Sequence, residues 1–267
     1  MYHRRHIIRG LLQTTAVASL WSAGGTSLAS QDAGPIVAAA ASMRFALSEA
    51  AELFTRQSGH RLRLNFGSSG NLSRQIRQGA PFQLFLSADE NYVQAIVGEG
   101  HTLGTGTLYA LGQLVVFAPK GSVVGIDGEL SGVRSALESG DLKRFAIANP
   151  EHAPYGRAAR EALRHAGIWD AIQQKLVLGE NVSQAAQFAA TGSTEGGLIA
   201  HSLALAPGVR DKGAFSIVSQ DWYQPLRQRM VLLKGADDVA RGFYDFLRGE
   251  QAAEIVSRHG FDRPKES

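Results

Sequence analysis

The stretch NFGSSGNLSRQI, Asn65 to Ile76, sets a strand against a helix with a small polar turn between them. Upstream, Leu62, Leu64 and Phe66 recur at period two, the pattern of a half-buried strand. Downstream, Leu72 and Ile76 stand four apart, with Arg74, Arg77 and Gln78 on the other side. Gly67-Ser68-Ser69-Gly70-Asn71 therefore joins a strand to the first turn of a helix. Such a start offers unbonded N–H groups and the positive end of the helix dipole, which suits an anion. It equally suits an ordinary serine cap, and this piece alone favours the cap.

The same strand–loop–helix form recurs outward from it. PIVAAAAS (Pro35–Ser42) reads as a short buried strand, followed by a helix with Leu47, Ala50, Ala51 and Phe54 on one face. FQLFLSAD, GQLVVFAPKG, KLVLG, GGLIAHSLAL and LRQRMVLLKG are further apolar runs, and ENYVQAIVGEG is a helix ending in glycine. LKRFAIANPEHAPYGRAAREAL repeats the unit, with its loop at Asn149–Gly156. VARGFYDFLRGEQAAEIVSRHGF closes the chain as a helix or helix pair. The alternation predicts an α/β fold with a mainly parallel sheet. GTGTLY at Gly104 lacks the third glycine of a dinucleotide fingerprint and reads as a turn.

Ligands of open α/β sheets bind beyond the carboxyl ends of the strands. Four small-residue loops take such positions: Ala41-Ser42, Gly67–Asn71, Pro154-Tyr155-Gly156 and Glu180-Asn181-Val182-Ser183. They come from both halves of the chain, which predicts a cleft between two lobes.

The first residues have another purpose. Arg4, Arg5 and Arg9 precede a mildly apolar core, and Ser27-Leu28-Ala29 offers a small-x-small cleavage site, so residues 1–29 are read as a signal peptide. RRHII loosely matches a twin-arginine signal. The leader holds three arginines and no acid, so its removal leaves 24 of the 27 basic residues against 24 acidic ones. A balanced mature chain is poor support for nucleic-acid binding, which wants a basic stripe on the folded domain. The absence of cysteine excludes disulfides, thiolate metal sites and cysteine nucleophiles.

Catalytic motifs fail in turn. Gly67-Ser68-Ser69-Gly70 is one residue short of the Gly-x-Ser-x-Gly elbow, and Gly70 is followed by Asn, not by the Lys of a phosphate loop. No two histidines have the zinc spacing His-x-x-x-His. His152 lies near a cleft loop and reads more economically as a surface or supporting residue than as a base. What remains is neutral donors: Ser42 and Ser69 by hydroxyl and backbone N–H, Tyr155 and Val182 at later helix starts. Such donors hold a fully deprotonated oxyanion and offer no acceptor to one that keeps a proton.

AAAASMRFALSEAAELF, FGSSGNLSRQIRQGAPFQLFLSAD, IANPEHAPYGRAAREAL, GENVSQAAQF and FYDFLRGEQAAEIVSRHGF together resemble the periplasmic molybdate-binding proteins, the solute receptors of molybdate ABC importers. The similarity runs from about Ile36 to Phe261, and SSGNL-x-x-QI-x-x-GAP followed by F-x-SAD is its most specific part. It implies a two-lobed type II periplasmic-binding-protein fold with the ligand cleft between the lobes. Lobe 1 would comprise residues 30–111 and 226–267, and lobe 2 residues 112–225. It implies molybdate contacts at Ser42, Ser69, Tyr155 and Val182, and a further backbone contact at Met43. One subset of the family has a ligand tyrosine where this chain has Ala200, and another has a tyrosine in the Pro-Tyr-Gly loop, as Tyr155 is here.

On this reading the chain is a monomeric, non-catalytic receptor of the periplasm. It needs no cofactor and binds no nucleic acid. It captures molybdate, with tungstate by the same chemistry, and delivers it to the membrane permease of an ABC importer. The same-class alternative is a receptor for sulfate or another tetrahedral oxyanion. The different-class alternative is an exported serine hydrolase using Ser69 with His152.

Overall fold

The computed structural model describes residues 34–264, so the expected leader and cleavage site lie outside the described residues. Its strands are β1 (Ile36–Ala40), β2 (Arg63–Gly67), β3 (Phe82–Ser87), β4 (Thr102–Gly112), β5 (Leu114–Pro119), β6 (Phe145–Ala148), β7 (Leu176–Gly179), β8 (Gly196–Ala200), β9 (Gly213–Ile217) and β10 (Leu226–Leu233). Its helices are α1 (Arg44–Ser58), α2 (Ser69–Arg77), α3 (Glu90–Gly98), α4 (Ser131–Glu138), α5 (Pro154–His165), α6 (Trp169–Ile172), α7 (Val182–Ala190), α8 (His201–Ala204), α9 (Asp238–Leu247) and α10 (Glu250–Arg258). Among the described residues no helix is long and apolar enough to cross a membrane.

The strands form two five-stranded sheets, in the orders β2-β1-β3-β10-β4 and β7-β6-β8-β5-β9. The chain passes from the first sheet to the second through Gln113, between β4 and β5, and returns between β9 and β10. Each sheet has two parallel and two antiparallel pairings, so the expected mainly parallel sheet is corrected to a mixed one. The reason is the connection: β4 to β5 is a direct crossing with no helix to reverse the chain, and β10 then inserts against β3 and β4 from the opposite direction. Local periodicity carries no information on such a partner.

The segment at Gly104, expected as a turn, is instead the first half of the eleven-residue β4. Gly104 and Gly106 have φ of 79° and 73°, left-handed conformations that glycine adopts without steric cost. The register against β10 shifts between Met230 and Leu232, close to Gly106. The glycines mark irregular pairing inside a strand, not its end.

Three apolar clusters hold the layers. Val37, Leu47, Phe54, Leu84, Leu86 and Phe243 pack on one face of the first sheet. Ala38, Leu72, Ile76, Phe85 and Val93 pack on the other. The second sheet buries Leu114 to Phe117, Phe145 to Ala148 and Leu198 to Ala200 against α5 and α7. With both faces covered, these strands read as continuous apolar runs instead of alternating ones. The packing fixes the carboxyl ends of β1, β2, β6 and β7 and the helices that leave them.

Candidate functional site

A small cavity lies where these strand ends meet. Its lining is Ala40, Ala41, Ser42, Gly67, Ser68, Ser69, Ala88, Ala153, Pro154, Tyr155, Asn181 and Val182. The first seven come from elements of the first sheet and the last five from the second. Ser42, Ser69, Tyr155 and Val182, far apart in sequence, are thus brought round one space. Met43 does not line it; its side chain is fully buried in the first sheet's core and borders a separate groove. Ala200, fully buried at the end of β8, is also absent from the lining.

The cavity has a water-accessible volume of about 10 Å³. The space is small, so a ligand held there must be compact. No lining side chain carries a charge. Alanines and a proline form smooth walls, and the polar atoms converge from three helix starts and one short 3-10 turn, Ala41–Met43.

Each donor is left free by a specific local cause. Asn181 caps α7, its side chain accepting from Ser183 N and Gln184 N, which passes over the N–H of Val182 at the first helical position. Tyr155 follows Pro154 at the start of α5, before the helix begins its own backbone bonds at Arg157. Ser69 opens α2, and its Oγ accepts from Ala88 N at 2.9 Å, so its own proton is available to donate. Ala88 was not legible as a site residue, because this bond joins two loops through the fold. Ser42 Oγ is buried with no hydrogen-bond partner, although it lies alongside the Tyr155 hydroxyl. An unpaired buried hydroxyl is costly unless a ligand or water completes it.

The turn that carries Ser42 is held from the second sheet. Ser183 Oγ donates to Ala41 O at 3.0 Å and Ser202 Oγ to Ser42 O at 2.9 Å. Arg157 and Asp89 pair across the same divide at 2.7 Å.

The Tyr155 phenol points away from the solvent into a buried polar chain. Gln228, fully buried on β10, donates Nε2 to Tyr155 OH at 3.3 Å, while its Oε1 accepts from Tyr109 OH at 3.0 Å. Burial pushes the Tyr155 phenol far above its ordinary range, and Tyr223 adds to this; the neighbouring Ser42 hydroxyl and the Gln228 amide offset part of it. Tyr155 therefore stays neutral wherever the protein is folded. A Cβ added at Gly112, at the crossing from β4 to β5, would collide with this hydroxyl. Gly112→Ala is expected to destabilise the protein by about 1–3 kcal/mol through overpacking. Urea unfolding measures it, and an unchanged midpoint would refute the fit.

The pairing of Ser69 with His152 required for the hydrolase alternative is not formed. His152 Nδ1 lies 2.9 Å from Ser68 Oγ, one residue away, and Ser69 is committed to Ala88. Gly70 stands where two loops meet. The space of its missing Cβ is taken by the His152 carbonyl, which would sit 2.7 Å away, so the glycine permits approach of the other sheet's loop. Among the described residues no group of three or more His, Asp or Glu side chains is placed to hold a metal cation.

Residues 36–262 match the family model described as bacterial extracellular solute-binding protein. The chain is 39% identical over 233 residues to the molybdate-binding protein ModA of Rhodobacter capsulatus, covering 86% of this chain and 88% of that one. It is 36% identical over 242 residues to ModA of Azotobacter vinelandii, covering 90% and 94%. The solved periplasmic molybdate-binding protein of Azotobacter vinelandii superposes with a TM-score of 0.79 at 29% identity, over 86% of this chain and all of that one. The sulfate-binding protein SubI of Mycobacterium tuberculosis shares the fold at 16% identity, with a TM-score of 0.70 over 87% of this chain and 88% of that one.

Proposed function

The chain belongs to the bacterial extracellular solute-binding protein family, and from that premise we propose that it receives molybdate in the small cavity and delivers it to the permease of an ABC importer. It is a binding protein and not an enzyme, as its family and its relatives are. The observation that carries the ligand class is the cavity: compact, free of charged side chains, and ringed by Ser42, Ser69, Tyr155 and Val182 with donors left over from folding. A dianion enclosed by neutral dipoles is held by charge-assisted hydrogen bonds, each worth about 1.5–3 kcal/mol. No counter-charge is needed, so release does not require an ion pair to be broken in a dry site.

Sulfate offers the same charge and the same acceptors. Discrimination must then come from size, since a smaller tetrahedron cannot reach donors on opposite walls at once. Tungstate matches molybdate in charge and shape, and is proposed as a second ligand. The receptor works as a monomer in the periplasm, without a cofactor, its leader removed on export.

The test is calorimetric titration of residues 30–267 with molybdate, repeated in excess sulfate. One-to-one binding that sulfate does not displace is the expected outcome. Binding of sulfate with no heat from molybdate would replace the ligand and retain the site. Val182→Pro tests a backbone donor directly. Proline is well tolerated at the first helical position, where its missing N–H is not used by the helix. The variant should fold, keep α7, and bind molybdate more than about tenfold more weakly. Unchanged affinity would remove the Val182 N–H from the site.

A further inference from the structure

A second set of contacts lies at the rim of the cavity, which Ser68 itself lines. Ser68 precedes Ser69, His152 lies three residues before Tyr155, and Glu180 lies two before Val182. These positions are bound to one another. The His152 ring meets Ser68 Oγ through Nδ1 at 2.9 Å, and its Nε2 lies 3.5 Å from a Glu180 carboxylate oxygen. The His152 carbonyl accepts from Gly70 N at 2.9 Å. The other Glu180 oxygen accepts from the Asn71 amide, whose oxygen is held in turn by Arg74. Ser68, Gly70, Asn71 and Arg74 belong to the first sheet's side of the cavity, and His152 and Glu180 to the second's.

We propose that Ser68, Asn71, His152 and Glu180 are positioning residues that clasp the three donor helix starts together across the cleft and set how long the oxyanion stays bound. None lends a charge to the ligand. The chain Asn71–Glu180–His152–Ser68 registers α2, α5 and α7 against one another, so the donors at Ser69, Tyr155 and Val182 converge only when it is closed. The sterics agree. A Cβ at Gly70 would lie 2.7 Å from the His152 carbonyl oxygen and 2.9 Å from the Tyr92 hydroxyl, so only glycine lets the clasp close fully. Differences of this kind act mainly on dissociation, because encounter with a small ion does not depend on contacts formed afterwards.

This inference rests on the receptor reading and on lobes that part to admit the ligand. The test uses Glu180→Ala, His152→Ala and Gly70→Ala. Stopped-flow release of molybdate is expected to be about threefold faster for Glu180→Ala and about tenfold or more for the other two, with association changed less than about twofold. Glu180 is exposed, so its variant folds normally, and thermal unfolding without ligand should not move. A ligand-independent readout runs beside it. The chain has no cysteine, so Glu52→Cys and Gln174→Cys, both at exposed positions, give a unique pair of label sites. The label distance should lengthen in all three clasp variants. Tight wild-type binding with unchanged release and unchanged distance in the variants would overturn the clasp. Failure of the wild type to bind molybdate would overturn the receptor reading, and the label distances would then decide the clasp alone.

Discussion

Replacing Ser42 and Ser69 together with alanine should weaken molybdate binding by about 10² to 10⁴. In the proposed site each hydroxyl would donate a hydrogen bond to a charged acceptor, worth about 1.5–3 kcal/mol, and about 1.4 kcal/mol is tenfold in affinity. The single variants should differ from each other in a way that only this site explains. Ser42 Oγ is buried without a partner. A methyl group there removes an unsatisfied polar atom, so Ser42→Ala should raise the ligand-free melting temperature while lowering affinity. Ser69 Oγ accepts from Ala88 N. Ser69→Ala leaves that N–H unpaired and should lose both affinity and about 1–3 kcal/mol of stability. Titration calorimetry and thermal unfolding without ligand, on the two single variants and the double, measure all four quantities. Ser42→Ala with wild-type affinity would remove that serine from the site.

Stability should collapse steeply above pH 10. Burial is the largest cause raising the phenols of Tyr109, Tyr155 and Tyr223; neighbouring Tyr155 adds to it for Tyr109, Tyr223 for Tyr155 and Asp262 for Tyr223. A folded-state value raised above the unfolded one means that the unfolded chain gives up the proton first. The stabilisation is therefore fully present below pH 10 and is lost as pH rises beyond it. Between the unfolded and folded values each tyrosine contributes a slope of about 1.4 kcal/mol per pH unit, so Tyr109 and Tyr155, the two raised furthest, together give about 3 kcal/mol per unit, and Tyr223 adds to this just above pH 10. A native stability of about 5–15 kcal/mol does not survive a few units of that. Urea unfolding at steps from pH 8 to 11.5 checks the slope. Tyr223→Phe should reduce it just above pH 10, while leaving the N–H of Leu114 without its phenolic acceptor. A flat profile through pH 11 would show that these phenols reach solvent.

The two predictions meet at Tyr155. Its backbone stands at a helix start by the cavity, and its hydroxyl reaches Gln228 near the crossing between the sheets. One residue thereby joins the cavity to the segment where the chain crosses between the two sheets. The neutral phenol and the neutral cavity lining follow the same rule: a dry site is built from groups that need no counter-ion.

The sequence by itself determined the parts that are local. A strand ending in small residues, followed by the apolar spacing of a helix, marked the helix starts at Ser69, Tyr155 and Val182, because the free N–H groups of a first turn are fixed by a few adjacent residues; Ser42, read as another start, stands in a 3-10 turn before α1. The resemblance over Ile36 to Phe261 carried the family, and the family model covers residues 36–262. Tertiary structure alone decided the rest. The bond from Ala88 to Ser69 Oγ, the unpaired Ser42 hydroxyl, the Gln228–Tyr155 link and the ties of His152 to Ser68 and Glu180 all join residues with no fixed sequence spacing. The antiparallel seat of β10 and the course of β4 through Gly104 and Gly106 belong with them. The physical reason is range: helix starts are set by hydrogen bonds spanning three or four residues, whereas the partner of a side chain across the cleft is chosen by packing of the whole molecule.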